Sequence, residues 1–320
     1  MQQQMIVIAL ALTAPLAAAA DSYPSKPIRL VVPFAPGGGN DIAARFVAQR
    51  LTEAFGQTAV VDNRAGAGST IGTDIVAHSA PDGYTLLVVH NAIAINQTLY
   101  AKLPYDTVRD FAQVAMIGAT TNTLVVNPNV PARSVKEFIA LAKSKPGAIN
   151  YASTGAGGTA HLAMEYFRLE TATNLVHIPY KGTAPGLTDV VAGQVQVMIS
   201  ALPGTVPFIN SKRVTALATT GLKRSAFLPD LPTLSEAGVP GYEFDTWYGL
   251  HAPAKVAREI IVKLNAEIVK ALTRPEVRDQ LFKQGIEAQT ATPAEFAKYV
   301  RSEVAKMGKI IKASGAKAEQ

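Results

Sequence analysis

The sequence predicts an α/β protein of two lobes, each an open mixed sheet flanked by helices. Three observations predict it. The chain has 320 residues, more than one small core serves. From residue 28 onward, short β-branched runs alternate with amphipathic helical stretches, the pattern of an α/β fold. And "VVPFAPGGGNDIAAR" (31–45) and "INYASTGAGGTAHLA" (149–163) repeat one device, a strand, a glycine-rich loop and a helix, once in each half.

The elements follow in order. Residues 28–34 read as a strand, and Ala43, Phe46, Val47, Leu51, Ala54 and Phe55 recur at helical spacing on a helix that ends near Gly56. Residues 58–61 form a second strand, followed by the loop "DNRAGAGST" and a short helix to Ala77. Pro81-Asp82-Gly83 is a turn and residues 84–89 a third strand. "VAMIGATTNTLVVNP" has no helical period and suits a crossover between lobes. Ser134 and Glu137 have capping-box spacing at the start of a helix closed by Pro146-Gly147.

A second series then predicts strands at 149–152, 175–180, 195–200 and 214–219, with helices at 160–169 and 187–192. The proline- and glycine-rich "LPDLPTLSEAGVPGYEF" carries the return to the first lobe, and everything beyond Trp247 reads as helical. Thr292, Pro293 and Glu295 supply a cap, a first-turn proline and a capping-box partner for the last helix. The expected division is a signal peptide at 1–20, one lobe from 21–122 plus 238–320, and an inserted lobe from 123–237.

Residues 1–20, "MQQQMIVIALALTAPLAAAA", are uncharged, apolar in the middle and end in alanines, as a secretory leader does, although its basic start is missing. No later stretch is apolar over the roughly 20 residues a membrane span needs, so a soluble, exported protein is expected. The chain has no cysteine, which excludes disulfides, thiol catalysis and thiolate metal sites. Its net charge of +6 is scattered rather than clustered, which argues against nucleic acid and suits a small anionic ligand.

The glycine loops carry the functional signal. A helix N-terminus presents unpaired N–H groups and the positive end of the macrodipole, and glycine lets a ligand approach them without a Cβ in the way. In open α/β sheets ligands sit beyond the carboxyl ends of the strands, where both loops fall. Two facing lobes would bring them to one cleft, where they would hold a carboxylate from both sides. Ser153, Thr154 and Thr159 add hydroxyl donors at the second loop and Asn40 an amide at the first, while Asp41 pairs with Arg45 along the helix.

Competing motifs fail. Residues 155–160 match a dinucleotide fingerprint in form but lack the acidic residue about 20 positions on. No phosphate-binding lysine loop or nucleophile elbow occurs, and His78, His90, His161, His177 and His251 have no metal-ligand spacing. His161, in the first turn after the second loop, is a candidate ligand donor. Lys181 is a candidate charge for an acidic ligand, and Trp247 lines either the cleft or the core.

"YPSKPIRLVVPFAPGGGNDIAAR", "NRAGAGSTIGTDIVA", "PDGYTLL", "YASTGAGGTAHLA", "PYKGTAPGLTDVVAGQV" and "WYGLHAPA" together resemble the Bug-type extracytoplasmic solute-binding receptors of tripartite tricarboxylate transporters, from about Tyr23 to the C-terminus. The resemblance implies a periplasmic, two-lobed Venus flytrap without enzymatic activity. Such receptors grip a small carboxylate, often a dicarboxylate or amino acid, between two glycine loops, partly through ordered water. Gln196 stands where relatives often carry an acid, which leaves the ligand's identity open.

The candidate ligand set is therefore Phe34, Ala35, Gly37, Gly38, Gly39 and Asn40 on the first loop; Asn91; Ser153, Thr154, Gly155, Gly158, Thr159 and His161 at the second; Tyr180, Lys181 and Gly182; and Trp247. The expectation is a monomeric periplasmic receptor, without cofactor or metal, that delivers a carboxylate to membrane permease subunits. The alternatives are a receptor that reports its ligand to a membrane signalling partner, and a periplasmic enzyme.

Overall fold

The computed structural model describes residues 23–317, so the expected signal peptide lies outside the described residues. The first half runs β1 (Ile28–Val32), α1 (Gly39–Phe55), β2 (Ala59–Asn63), α2 (Thr70–Ala77), β3 (Thr85–His90), α3 (Ala92–Leu99) and β4 (Phe111–Thr120). The inserted half runs β5 (Asn122–Val126), α4 (Val135–Ser144), β6 (Asn150–Ser153), α5 (Thr159–Thr171), β7 (Val176–Pro179), α6 (Thr183–Ala192), β8 (Val197–Ala201), α7 (Leu202–Asn210) and β9 (Thr215–Thr219). The chain ends with β10 (Thr246–Pro253), α8 (Arg258–Leu272), α9 (Pro275–Lys283), β11 (Glu287–Ala288) and α10 (Pro293–Ser314).

Two sheets result, in the orders β11-β4-β10-β3-β1-β2 and β7-β6-β8-β5-β9. They share a plan. In the first, β1 pairs in parallel with both β2 and β3, and β10 then runs antiparallel to β3. In the second, β6 pairs in parallel with β7 and β8, and β5 runs antiparallel to β8. The central strands are apolar throughout because helices cover both faces. Leu30 and Val32 join the core around α1 and α8, whereas Val31 faces the opposite core with Ile93 and Phe296. Each such buried side chain contributes about 1.5–3 kcal/mol.

The structure departs from the sequence reading at identifiable places. The stretch after Trp247 opens with a strand, not a helix: "TWYGLHAP" is β10, buried at all eight positions between β3 and β4, and the short β11 follows α9. A strand buried on both faces lacks the alternation that would announce it. Helix α3 has no counterpart in the sequence reading: it is only eight residues long, buried over most of its surface, and shows no repeating apolar stripe. Helix α7 was hidden by Pro203 at its start and Pro207 inside it. Helix α6 begins at Thr183 rather than 187, since Pro185 falls in the first turn, where no N–H is needed. Ser134 accepts from the Glu137 N–H at 3.2 Å as expected, but the Glu137 carboxylate takes the Arg133 N–H at 2.7 Å instead of completing the box. The box at Thr292 and Glu295 is complete.

The chain changes sheets at Thr121 and enters the first sheet again at Thr246. Asn122 ties the two crossings. Its Nδ2 donates to the Phe244 carbonyl at 2.5 Å, its Oδ1 accepts from Thr246 Oγ1 at 2.7 Å, and its backbone N–H reaches Thr220 Oγ1 at 2.9 Å. Asn122→Ala would leave the buried Thr246 hydroxyl without its acceptor and should destabilise the fold by about 2 kcal/mol. A urea titration would measure this, with an unchanged midpoint meaning that the crossings are held by other contacts.

Candidate functional site

The carboxyl ends of the two parallel units face each other. Four helices begin in the gap: α1 after β1, α5 after β6, α6 after β7 and α7 after β8. Their N-cap residues are Gly38, Gly158, Gly182 and Ala201, and none carries a side-chain cap. The first-turn N–H groups of all four therefore lack a side-chain acceptor, and their dipoles converge on one space. In each sheet this space lies between β1 and β3, or between β6 and β8, where chain connections diverge to opposite sides, the switch point at which ligands bind in such sheets.

The space between the helix starts is an inner cavity lined by Phe34, Gly38, Gly39, Asn40, His90, Asn122, Thr154, Thr159, Ala160, Thr183, Ser200, Ala201, Thr246 and Tyr248. No Asp, Glu, Lys or Arg is among them. Four buried lining side chains have a polar atom without a partner: Asn40 Oδ1, Thr154 Oγ1, Ser200 Oγ and Tyr248 Oη. Three of these are hydroxyls with a proton to give. The glycines make room for them. A Cβ on Gly39 would collide with the Tyr248 hydroxyl and one on Gly158 with Thr154 Oγ1. The cavity has only 20 Å³ of free space, enough for about one water. Phe34 and Thr154 also line an outer chamber of 320 Å³, bounded by Pro33, residues 66–69, Tyr100, residues 154–156 and residues 179–181.

Asp41, the one acid in the first turn of α1, is neutralised locally. It accepts from Arg45 Nε at 2.8 Å, the Gly37 N–H at 3.1 Å and Asn63 Nδ2 at 3.2 Å. Hence the inner cavity offers donors and dipoles without a competing negative charge.

Residues 43–316 match the family described as the tripartite tricarboxylate transporter family receptor. This chain belongs to that receptor family. Protein BugT of Bordetella pertussis is 37% identical over 300 residues, covering 93% of this chain and 92% of its own. A Rhodopseudomonas palustris protein, Rpa4515, solved with adipate, is 35% identical with a TM-score of 0.89, covering 92% of this chain and 98% of its own. MatC from Rhodopseudomonas palustris, with bound malate, is 31% identical with a TM-score of 0.87, covering 90% and 100%. The family is one of solute receptors, not enzymes.

Within the receptor, the expected residues separate into groups. Phe34, Gly38, Gly39, Asn40, Thr154 and Thr159 line the inner cavity; Gly155, Tyr180 and Lys181 line the outer chamber. Several others join the lobes instead of facing the space. The Ala35 N–H donates to the Lys181 carbonyl at 2.9 Å, Gly37 packs on Ala184, and Gly182 packs on Ala35. Asn91 accepts from Thr159 Oγ1 at 2.8 Å and donates to the Asp245 carbonyl at 3.1 Å.

Three expectations need correction. Trp247 does not line the cleft. Side chains alternate along β10, so Thr246 and Tyr248 reach the cavity while Trp247 packs on Phe296 and Tyr299 and donates to Glu303 at 3.0 Å. His161 lies behind the loop, stacked on His177 at 4.4 Å, with Nδ1 accepting the Gly157 N–H at 3.3 Å. Ser153 is fully buried, 2.6 Å from His177 Nε2, and accepts the Gly155 N–H; it braces the loop. Gln196, set apart in the sequence, accepts the Asn150 N–H at 2.9 Å and lies outside the inner cavity.

The sequence reading missed His90, Asn122, Ala160, Thr183, Ser200, Ala201, Thr246 and Tyr248. Ser200 ends a predicted strand, and recognising α7 behind it would have marked the position. Tyr248 carries no local signal.

Burial holds three imidazoles neutral: it lowers His90 and His251 to about 3, and, aided by the neighbouring His177, His161 to about 4. An unfolded chain protonates them near 6.5, so below that pH it binds more protons than the native state. Their contribution to stability is present above about pH 6.5 and is lost progressively toward pH 3–4. The melting temperature, followed by circular dichroism, should therefore fall steadily between pH 7 and pH 4.5; a flat profile would mean that these side chains titrate in the folded protein.

Proposed function

We propose that this receptor captures a small carboxylate-bearing solute in the periplasm and presents it to the membrane subunits of its transporter. The observation that carries the proposal is the set of three unpaired hydroxyls, Thr154, Ser200 and Tyr248, in a cavity without charged side chains at the start of four uncapped helices. A carboxylate is the complement of such a donor set. The adipate and malate named with two relatives are of this class.

The volumes support a division of the solute between the two spaces. Its body occupies the outer chamber, and its carboxylate end points inward through the gap beside Phe34 and Thr154. The inner cavity holds a single water-sized guest that relays the donors to the carboxylate, a contact nearly as favourable as a direct one. The exposed Lys181 stands at the outer chamber for a second acidic group. Donors come from both lobes, Tyr248 from the first sheet and Thr154 and Ser200 from the second, so the solute favours the closed arrangement over the open one.

Protein stripped of bound solute should gain thermal stability with one or more small mono-, di- or tricarboxylates, by mass action on the native state; no gain with any of them would sink the reading. The hydroxyl variants sharpen the test. Thr154→Val, Ser200→Ala and Tyr248→Phe remove atoms without a protein partner, so each should leave stability nearly unchanged while weakening solute binding several-fold, the effect of losing one donor to the relaying guest. Calorimetric titration beside a urea melt separates the two effects.

A further inference from the structure

The strap of residues 66–69, between β2 and α2, lines the outer chamber. All four residues have positive φ: Gly66 at 147°, Ala67 at 44°, Gly68 at 58° and Ser69 at 89°. Two of them are not glycine, a costly arrangement that persists only where surroundings enforce it. Here α3 and the residue after it enforce it. Asn96 Nδ2 donates to the Gly68 carbonyl and to Ser69 Oγ, both at 3.0 Å, and Tyr100 Oη lies 3.0 Å from the Ala67 carbonyl.

The strap's tip meets the second glycine loop, which belongs to the other lobe. A Cβ on Gly68 would fall on the Ala156 carbonyl oxygen, and one on Gly155 would lie 3.3 Å from Gly68 Cα. Tyr100 Oη is also 2.9 Å from that Ala156 carbonyl. A phenol has one proton, so Tyr100 shares it here between the strap in its own lobe and the loop in the other. Were the lobes to part, the Ala67 carbonyl alone would stay within its reach.

We infer that this strap is the door of the cleft, and that Gly68 and Tyr100 determine how long a captured solute is retained. The inference rests on the carboxylate reading for the identity of the solute, but not for the closing contact. Gly68 is needed because any side chain there would hold the lobes apart at the mouth, and Tyr100 is the hydrogen-bond latch that engages on contact.

The test compares Gly68→Ala with Gly56→Ala. Gly56 has nearly the same left-handed backbone, φ 68°, with nothing within 4 Å of the added Cβ, so it reports the backbone cost alone. Adipate and malate serve as probes. Gly68→Ala should release whichever probe the wild type binds about tenfold faster or more, with little change in association rate, while Gly56→Ala releases it at the wild-type rate. Tyr100→Phe should speed release by a smaller factor, and carries the test if Gly68→Ala does not fold. Small-angle scattering of the solute-free proteins should give Gly68→Ala a larger radius of gyration than wild type or Gly56→Ala. Matching release rates, or a scattering curve that superimposes on wild type, would overturn the door. If the wild type binds neither probe, the scattering still decides the closing contact, and the failure falls on the carboxylate reading.

Discussion

The structure depends on one constraint: backbone N–H groups at the starts of α1, α5, α6 and α7 are aimed at a shared space and left without side-chain caps. A Ser, Thr, Asp or Asn at any of those N-caps would satisfy a donor internally, adding about 1 kcal/mol over alanine and a few tenths over glycine. Glycine or alanine stands there instead. By contrast α4 and α10, whose starts lie away from the cavity, are capped by Ser134 and Thr292. The lack of a cap does not by itself mark a site, since α8 and α9 also begin without one. Convergence marks it, together with hydroxyls that the fold buries and does not pair.

That convergence follows from building each lobe on the same three parallel strands. In both, the central strand sends its chain to one side and the third strand lies on the other, so that two loops part at the carboxyl ends and leave a hollow. One such hollow is shallow. Two of them, joined by crossings that Asn122 ties together, enclose a guest. The lobe pairing thus explains why the glycine device occurs twice and why neither copy is sufficient alone.

Much of this was legible in the sequence for a physical reason. Glycine at a strand-to-helix junction is costly to order and specific in what it permits, so Gly37–Gly39 and Gly155–Gly158 announced themselves without help from the fold. The rest of the lining was not legible because it is chosen by tertiary packing. Tyr248 matters because its hydroxyl overlies Gly39, a relation across more than two hundred residues of chain. Ser200 and Thr183 sit at helix starts that proline obscured. His161 and Ser153 looked like ligand donors because they flank the loop, yet each spends its polar atoms on a glycine N–H. Proximity in sequence distinguished neither the side that faces the solute nor the side that braces the loop.

On the proposed reading, a neutral, donor-rich inner cavity would recognise the carboxylate end of a solute and leave its body unspecified. Backbone dipoles and hydroxyls would serve a carboxylate equally whether the attached body were that of malate or of the longer adipate, the solutes named with two relatives. Discrimination must then come from the outer chamber, whose walls are the Tyr100 and Tyr180 rings, two prolines and the strap. Those walls come from both lobes. Selectivity on this reading would be exercised at closure more than at first contact: a carboxylate of the wrong shape could reach the inner donors, but it would keep the mouth from shutting and leave.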